Sequence, residues 1–147
     1  MFRESLTALE AKRVGHSLDR VSEEETPGWY PNQQIQDYLR AARDAAGKRF
    51  FDWAILTNGN EWRLYCEQAS ADAFFGFHLA DGEQFCAIED FRLFLALFRP
   101  EAFQRVDGRC LLDDVRESSL TAQADLETNL RRRVFDVLED LATAFWK

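Results

Sequence analysis

Two strand-like segments joined by an Asn-Gly turn constrain the fold of this chain most strongly. Residues 50–57 are apolar apart from Asp52 and Thr57, residues 61–67 follow as a second strand-like run, and Asn58-Gly59 lies between the two runs. Asn-Gly favours a tight β-hairpin because both residues accept positive φ angles. Since residues 53–56 are apolar on both faces of a strand, we expect the first strand to be central in a sheet and covered on both sides.

Further apolar patterns predict the elements around this hairpin. Residues 6–12 indicate a short strand whose later positions carry charges, and residues 74–79 indicate another strand. Residues 31–46 predict a helix of about four turns that begins at Pro31 and is stopped by Gly47. Residues 86–98 have apolar side chains at helical spacing, whereas residues 15–28 are typical of an exposed loop. We therefore expect an α/β fold with a mixed sheet of about four strands and flanking helices.

The C-terminal part of the sequence has a different character. Residues 111–146 contain neither Pro nor Gly, so they predict one long helix or a pair of helices. We expect an α/β domain over residues 1–105 and a helical extension or connector over residues 106–147. An apolar stripe along this helix needs a cover, either the sheet domain or a partner such as a second copy of the chain. The stripe consists of Leu126, Leu130, Val134, Leu138, Leu141 and Phe145.

Charge and cysteine content restrict the classes of partner and compartment. The net charge is −8, and the acidic excess lies after residue 50, so we expect an anionic ligand to approach the N-terminal third. Residues 131–133 are all Arg, but the polar side of a helix explains them better than nucleic-acid binding does. Three widely spaced cysteines predict free thiols. No membrane span or export signal is visible, which indicates a cytoplasmic protein without a membrane partner.

One set of polar residues has the character of a phosphodiesterase site. Glu10 and Lys12 are two residues apart and project from the same face of a strand, while Gln34 and Tyr38 share one face of a helix. Hydrolysis of a phosphodiester uses a divalent cation and a positive group near the developing charge. Glu10 can bind Mg²⁺ through its carboxylate, and Lys12 can orient water or stabilise the transition state. An ordinary ion pair, and a helix that packs through Tyr38, are the alternatives.

The order of these motifs resembles a known nuclease family. A strand ending in Glu10-Ala11-Lys12, then Gln34 and Tyr38, and then a stretch from Trp53 through Asn58-Gly59 to Tyr65 is similar to the N-terminal nuclease region of restriction-modification proteins. These include single-chain type IIG-like enzymes fused to an adenine-specific DNA methyltransferase, phage-defence methyltransferase relatives and type I restriction motor subunits. They belong to the restriction-endonuclease-like PD-(D/E)xK superfamily.

The resemblance implies a function and roles for individual residues. It implies a Mg²⁺-dependent DNA endonuclease module with Glu10 as a metal ligand, Lys12 as the catalytic lysine and Gln34 with Tyr38 as the positioning pair. DNA, and a methyltransferase or other restriction-modification domain or subunit, are the implied partners. The long C-terminal segment is similar to the connector that leads to the methyltransferase in those proteins, and homo-oligomerisation through its helix is a further expectation.

The chain departs from the family pattern at its N-terminus. The family has an earlier strand bearing an Asp, whereas the residues before Glu10 include no Asp and only one acidic residue, Glu4. Because a divalent ion is usually held by two carboxylates, three expectations follow. The chain is a piece of a longer enzyme, a degenerate nuclease fold, or a protomer whose missing ligand comes from another chain. A non-catalytic protein-interaction module that retains the nuclease fold is the alternative function.

Overall fold

The computed structural model describes residues 7–19, 30–69 and 73–145, with side chains described as far as residue 138. The chain divides into two compact units, Met1–Gln104 and Arg105–Lys147. Most of the predicted acidic loop, residues 20–28, lies outside the described residues.

The first unit contains a four-stranded mixed sheet. Its strands, in the order in which they lie side by side, are β1 (Ala8–Ala11), β2 (Trp53–Thr57), β3 (Glu61–Cys66) and β4 (Phe74–His78). β1 is parallel to β2, and the other neighbours are antiparallel. The predicted mixed α/β class and the sheet of about four strands are confirmed.

Side-chain hydrogen bonds close the predicted hairpin between β2 and β3. The Thr57 hydroxyl donates to the Glu61 carbonyl at 2.8 Å and accepts the Gly59 N–H at 2.9 Å. Gly59 has a φ of 89°, in the left-handed region that favours glycine. The Asn58 amide also donates to the His16 carbonyl at 2.7 Å, which ties the turn to the segment after β1.

Helix α1 (Pro31–Ala41) covers one face of the sheet. It buries Ile35 and Leu39 in a core cluster with Ala54, Leu56 and Tyr65 of the sheet. Pro31 stands in the first turn, as predicted, because a missing N–H costs nothing there.

The predicted extension of α1 to residue 46 is wrong. The helix ends at Ala41, and the next residues form a turn around Asp44. The Asp44 carboxylate accepts the N–H groups of Ala46 at 2.9 Å and Lys48 at 2.8 Å. This local side-chain capture competes with the helical backbone hydrogen bonds and stops the helix early.

Helix α2 (Ile88–Phe98) covers the opposite face. Phe94 and Phe98 pack edge-on against Trp62 of β3, with ring centroids 5.3 and 5.6 Å apart. All five residues of β2 are buried, so its predicted central position between two covered faces is confirmed. Three short elements were not predicted: β5 (Ala80–Asp81), β6 (Gln84–Phe85) and α3 (Pro100–Phe103).

The second unit is dominated by one helix, α4 (Leu111–Phe145), which is the first of the two predicted alternatives, one long helix or a pair of helices. The Asp113 carboxylate accepts the Cys110 N–H at 2.9 Å near the helix start, and Arg109 forms ion pairs with Asp114 and Glu117. None of the described helices is long and apolar enough to cross a membrane. Cys66 and Cys110 are buried and Cys86 is half-buried; all three are free thiols, as predicted.

Candidate functional site

The strand β1 presents Glu10 and Lys12 on the sheet face that α1 covers. Ala8, on the same face by the alternation of a strand, packs against the core cluster beneath α1. The Lys12 N–H donates to the Thr57 carbonyl at 2.7 Å, which extends the pairing with β2 beyond the end of β1. The side chains of Lys12 and Glu10 are only 17% and 24% exposed. The polar end of β1 is therefore held at the rim of the core.

The structure joins the four predicted site residues through direct contacts. Lys12 Nζ lies 3.0 Å from Glu10 Oε1 and 3.2 Å from Gln34 Oε1. Gln34 Nε2 donates to Tyr38 Oη at 2.6 Å. Gln34 and Tyr38 are one turn apart on α1, so both side chains reach the end of β1 from the same face of the helix. We call Glu10, Lys12, Gln34 and Tyr38 the lysine cluster.

The lysine cluster leaves two hydrogen-bond donors for a ligand. An ammonium group has three N–H donors, and the described contacts of Lys12 use two of them. The Tyr38 hydroxyl oxygen accepts from Gln34, so its own proton can be donated outward, and this side chain is 41% exposed. A phosphate or another oxyanion is the ligand class that matches one ammonium and one phenol donor.

A second polar cluster lies in the same sheet row and was missed by the sequence analysis. Pairing of the strands places Glu10 beside Leu56 and Leu56 beside Arg63. Arg63 is 4% exposed, and its guanidinium lies 4.2 Å above the centre of the Phe74 ring. The guanidinium donates to both Asp19 carboxylate oxygens, at 2.6 and 2.8 Å, and to Glu61 Oε1 at 2.6 Å.

These contacts hold Arg63 at the edge of the core. We call Arg63, Asp19, Glu61 and Phe74 the arginine cluster. The Asp19 hydrogen bonds raise the pKa of Arg63 above its ordinary value, so the guanidinium stays charged although it is buried. Asp19 follows Leu18, which belongs to the core cluster, so the ion pair fixes the chain after β1 against β3. One signal of this cluster was present in the sequence: Glu61, Arg63 and Tyr65 alternate along one face of a strand.

The phenol of Tyr65 is buried, so it should ionise at a higher pH than an exposed tyrosine does. Burial raises the pKa of the Tyr65 phenol, and the nearby Arg63 offsets only part of this effect. In an absorbance titration at alkaline pH, we expect part of the tyrosine signal to ionise above the ordinary value of about 10, and Tyr65→Phe to remove that part. Because the pKa is raised on folding, stability is fully present below the unfolded pKa and falls as the pH rises through the folded pKa. A titration unchanged by Tyr65→Phe would contradict this.

The described carboxylates do not complete a Mg²⁺ site. Glu10 is the one carboxylate of the lysine cluster, and its oxygen is engaged by Lys12. No group of three or more His, Cys, Asp or Glu side chains suited to a metal ion occurs among the residues that the structure describes. Mg²⁺ prefers several oxygen ligands in near-octahedral geometry. The predicted metal role of Glu10 would need at least one further carboxylate, and Glu4 and residues 23–25 lie outside the described residues.

Comparisons with known proteins do not assign this chain to a family. No family model, no curated protein and no solved structure matches it. The contacts of the lysine cluster and the order of the motifs along the chain are therefore the grounds for a functional proposal.

Proposed function

We propose that this chain is a restriction-endonuclease-like module of a DNA restriction-modification or phage-defence system that takes part in phosphodiester hydrolysis. The single observation that carries the proposal is the continuous contact path from Glu10 through Lys12 and Gln34 to Tyr38. Lys12 and Gln34 are 22 residues apart in sequence, and their side chains nevertheless meet at 3.2 Å. Helix packing alone does not require this contact between two polar groups.

Each member of the lysine cluster has a defined part in this proposal. Lys12 places its remaining N–H donor toward a phosphate oxygen, where negative charge develops during hydrolysis. Glu10 fixes the direction of the ammonium group, since the two groups lie 3.0 Å apart. Gln34 is a positioning residue: its carbonyl oxygen accepts from Lys12 and its amide donates to Tyr38, so it orients both donors.

In the described part of the chain, β1 is an edge strand: it pairs with β2 and with no other described strand. An edge strand presents backbone N–H and C=O groups to which a further strand can add, so a strand beside β1 could complete the site. A strand added there would run beside Glu10 and could bring the second carboxylate that a divalent cation needs. Its source would be a further part of a longer protein or another chain.

The net charge of −8 bears on the proposed partners. A protein that neutralises DNA phosphates relies on basic side chains, so an acidic chain gains little affinity from charge alone. We propose that a methyltransferase domain or another restriction-modification subunit supplies most of the DNA affinity and all of the base recognition. In this arrangement the chain contributes the cleavage chemistry.

A nicking assay on supercoiled plasmid DNA tests the proposal. Because Glu10 is the one carboxylate that the described site offers a cation, we expect the full chain to nick the plasmid only slowly, and at high Mg²⁺ or Mn²⁺ concentration. Lys12→Ala and Glu10→Ala should each lower that rate by about a hundredfold, the usual scale for a group that stabilises developing charge. Gln34→Ala should lower the rate by a smaller factor. Asp37→Ala on the exposed side of α1 is the matched control and should leave the rate unchanged.

Two results would decide against the proposal. Equal rates for the wild-type chain, Glu10→Ala and Lys12→Ala would remove these residues from the chemistry and point to a contaminating nuclease. Absence of nicking by the wild-type chain with either cation would favour the second candidate function below. Circular dichroism of each variant shows whether a lost rate reflects a lost fold.

The second candidate function is a non-catalytic interaction module that retains the nuclease fold. The observation in its favour is the charge balance of the lysine cluster: Glu10 and Lys12 neutralise each other at 3.0 Å, which is a stable arrangement without any ligand. In that case Lys12→Ala and Glu10→Ala would alter stability only slightly, and the exposed helix α4 would be the functional surface.

A further inference from the structure

Helix α4 carries an apolar row whose spacing is symmetric about its centre. The row, which we call the α4 seam, occupies positions 126, 130, 134, 137, 141 and 145, so its steps are four, four, three, four and four. The five steps average about 3.8 residues, close enough to the 3.6 of a straight helix that the row covers about 100° of the helix surface and stays on one face. The residues at these positions are Leu126, Leu130, Val134, Val137, Leu141 and Phe145. The seam has Val137 where the stripe predicted from the sequence has Leu138, which lies at the edge of the same face.

The described members of the seam are open to solvent. Leu126, Leu130, Val134 and Val137 are between 50% and 69% exposed. Most stability of a protein helix comes from packing its apolar face rather than from helix propensity. A stripe of this length therefore requires an apolar partner.

The symmetry of the seam makes it complementary to itself in one orientation. When a second copy of α4 runs antiparallel about a two-fold axis between positions 135 and 136, position 134 faces 137, position 130 faces 141 and position 126 faces 145. Every layer then pairs two apolar residues. A two-fold interface of this kind closes on itself and exposes no remaining half of the seam.

The charges beside the seam favour the same orientation. At 100° per residue, Arg133 and Asp136 lie on one flank of the seam, as does position 140, where the sequence has Asp. In an antiparallel pair the same flanks face each other, so Arg133 lies between positions 136 and 140 of the other copy, about 3 Å from each along the axis. In a parallel pair opposite flanks meet, and Arg133 would lie beside Arg131 of the other copy. Since Arg131 is already paired with Glu127 of its own helix, Arg133 would gain no carboxylate in that orientation.

On these grounds we propose that α4 is a homodimerisation surface, in which two copies of this chain pair antiparallel through the α4 seam. The opposite flank needs no charge from the other copy, because Arg131 forms an ion pair with Glu127 of its own helix. This inference does not rest on the proposed nuclease function, and the two can fail separately.

Sedimentation velocity of the full chain tests whether the α4 seam is the dimer interface. We expect the wild-type chain to be a dimer at micromolar concentration and the double variant Leu130→Asp/Val134→Asp to be monomeric, with dimerisation weakened by at least about a hundredfold because buried carboxylates would remain without partners. The control is Thr121→Asp/Thr128→Asp, which adds the same two charges on the face of α4 opposite the seam and should remain dimeric. A monomeric wild-type chain, or equal effects of the two double variants, would overturn the proposal.

Charge exchange and distance measurement test the orientation. Arg133→Asp should weaken the dimer about tenfold, a typical effect of opposing like charges, and adding Asp136→Arg and Asp140→Arg should restore it. Spin labels introduced at position 121 through a non-natural amino acid should lie about 44 Å apart in the antiparallel pair, from 29 residues at 1.5 Å each. In a parallel pair the two labels would lie at the same height on outward faces, about 25 Å apart across the two helices. Label distances below about 30 Å would therefore overturn the proposal.

Discussion

Replacing Arg63 with Ala is expected to lower the free energy of unfolding by about 3 kcal/mol. The substitution removes the cation between Asp19 and Glu61 and leaves the Glu61 carboxylate, whose side chain is 17% exposed, without its strongest partner. It also removes the guanidinium that packs over the Phe74 ring. The value is at the lower end for a broken buried pair because the Asp19 side chain is 58% exposed and can be hydrated.

Urea unfolding followed by tryptophan fluorescence measures this change. Arg40→Ala is the matched control, because Arg40 pairs with Asp37 on the surface, where both side chains are more than half exposed, and its loss should cost less than about 1 kcal/mol. A loss for Arg63→Ala no larger than that of the control would show that the arginine cluster contributes nothing to stability beyond a surface ion pair.

Leu39→Ala is expected to destabilise the first unit by about 3–4 kcal/mol. Leu39 has no solvent exposure and packs in the cluster that holds α1 against β2, so its truncation leaves a cavity that the sheet cannot fill. Because Gln34 and Tyr38 are carried by the same helix, we also expect faster amide hydrogen exchange along α1.

An alanine substitution on the exposed side of α1 is the control for Leu39→Ala. Gln33→Ala removes a solvent-exposed side chain one turn away from the core contacts and should change stability by less than about 0.5 kcal/mol. A loss below about 1 kcal/mol for Leu39→Ala would mean that α1 is not held by this cluster, and the geometry of the lysine cluster would lose its support.

Elements with strong local patterns were predicted well from the sequence. The Asn58-Gly59 turn, the apolar run of β2 and the unbroken helical segment of α4 each contain their own signal, because propensity and apolar spacing agree there. The end of α1 was predicted wrongly since the apolar spacing continues to Ala42, whereas Asp44 captures backbone N–H groups of the following turn. Such side-chain capture depends on geometry that apolar spacing does not report.

The candidate site was only partly accessible to sequence reasoning. Residue spacing predicted that Glu10 and Lys12 share one face of a strand and that Gln34 and Tyr38 share one face of a helix. The contact between Lys12 and Gln34 is a tertiary contact, which local spacing cannot predict. The expectation that the pairs meet came from the resemblance in motif order. Arg63 was missed for a related reason: its partner Asp19 is 44 residues away, and a charged residue within a strand is ordinarily assigned to the solvent face.

The hairpin turn has a consequence for the amine at the end of β1. The Lys12 N–H is bonded to the Thr57 carbonyl, and the Thr57 hydroxyl closes the turn. A side chain at Gly59 would approach Val14 to within 3.3 Å and would also oppose the positive φ of that residue. Because the backbone of Lys12 is bonded to a residue that also closes the turn, a substitution that distorts the hairpin would shift the backbone from which the Lys12 side chain extends, although no side chain of the turn touches the ammonium in the described contacts.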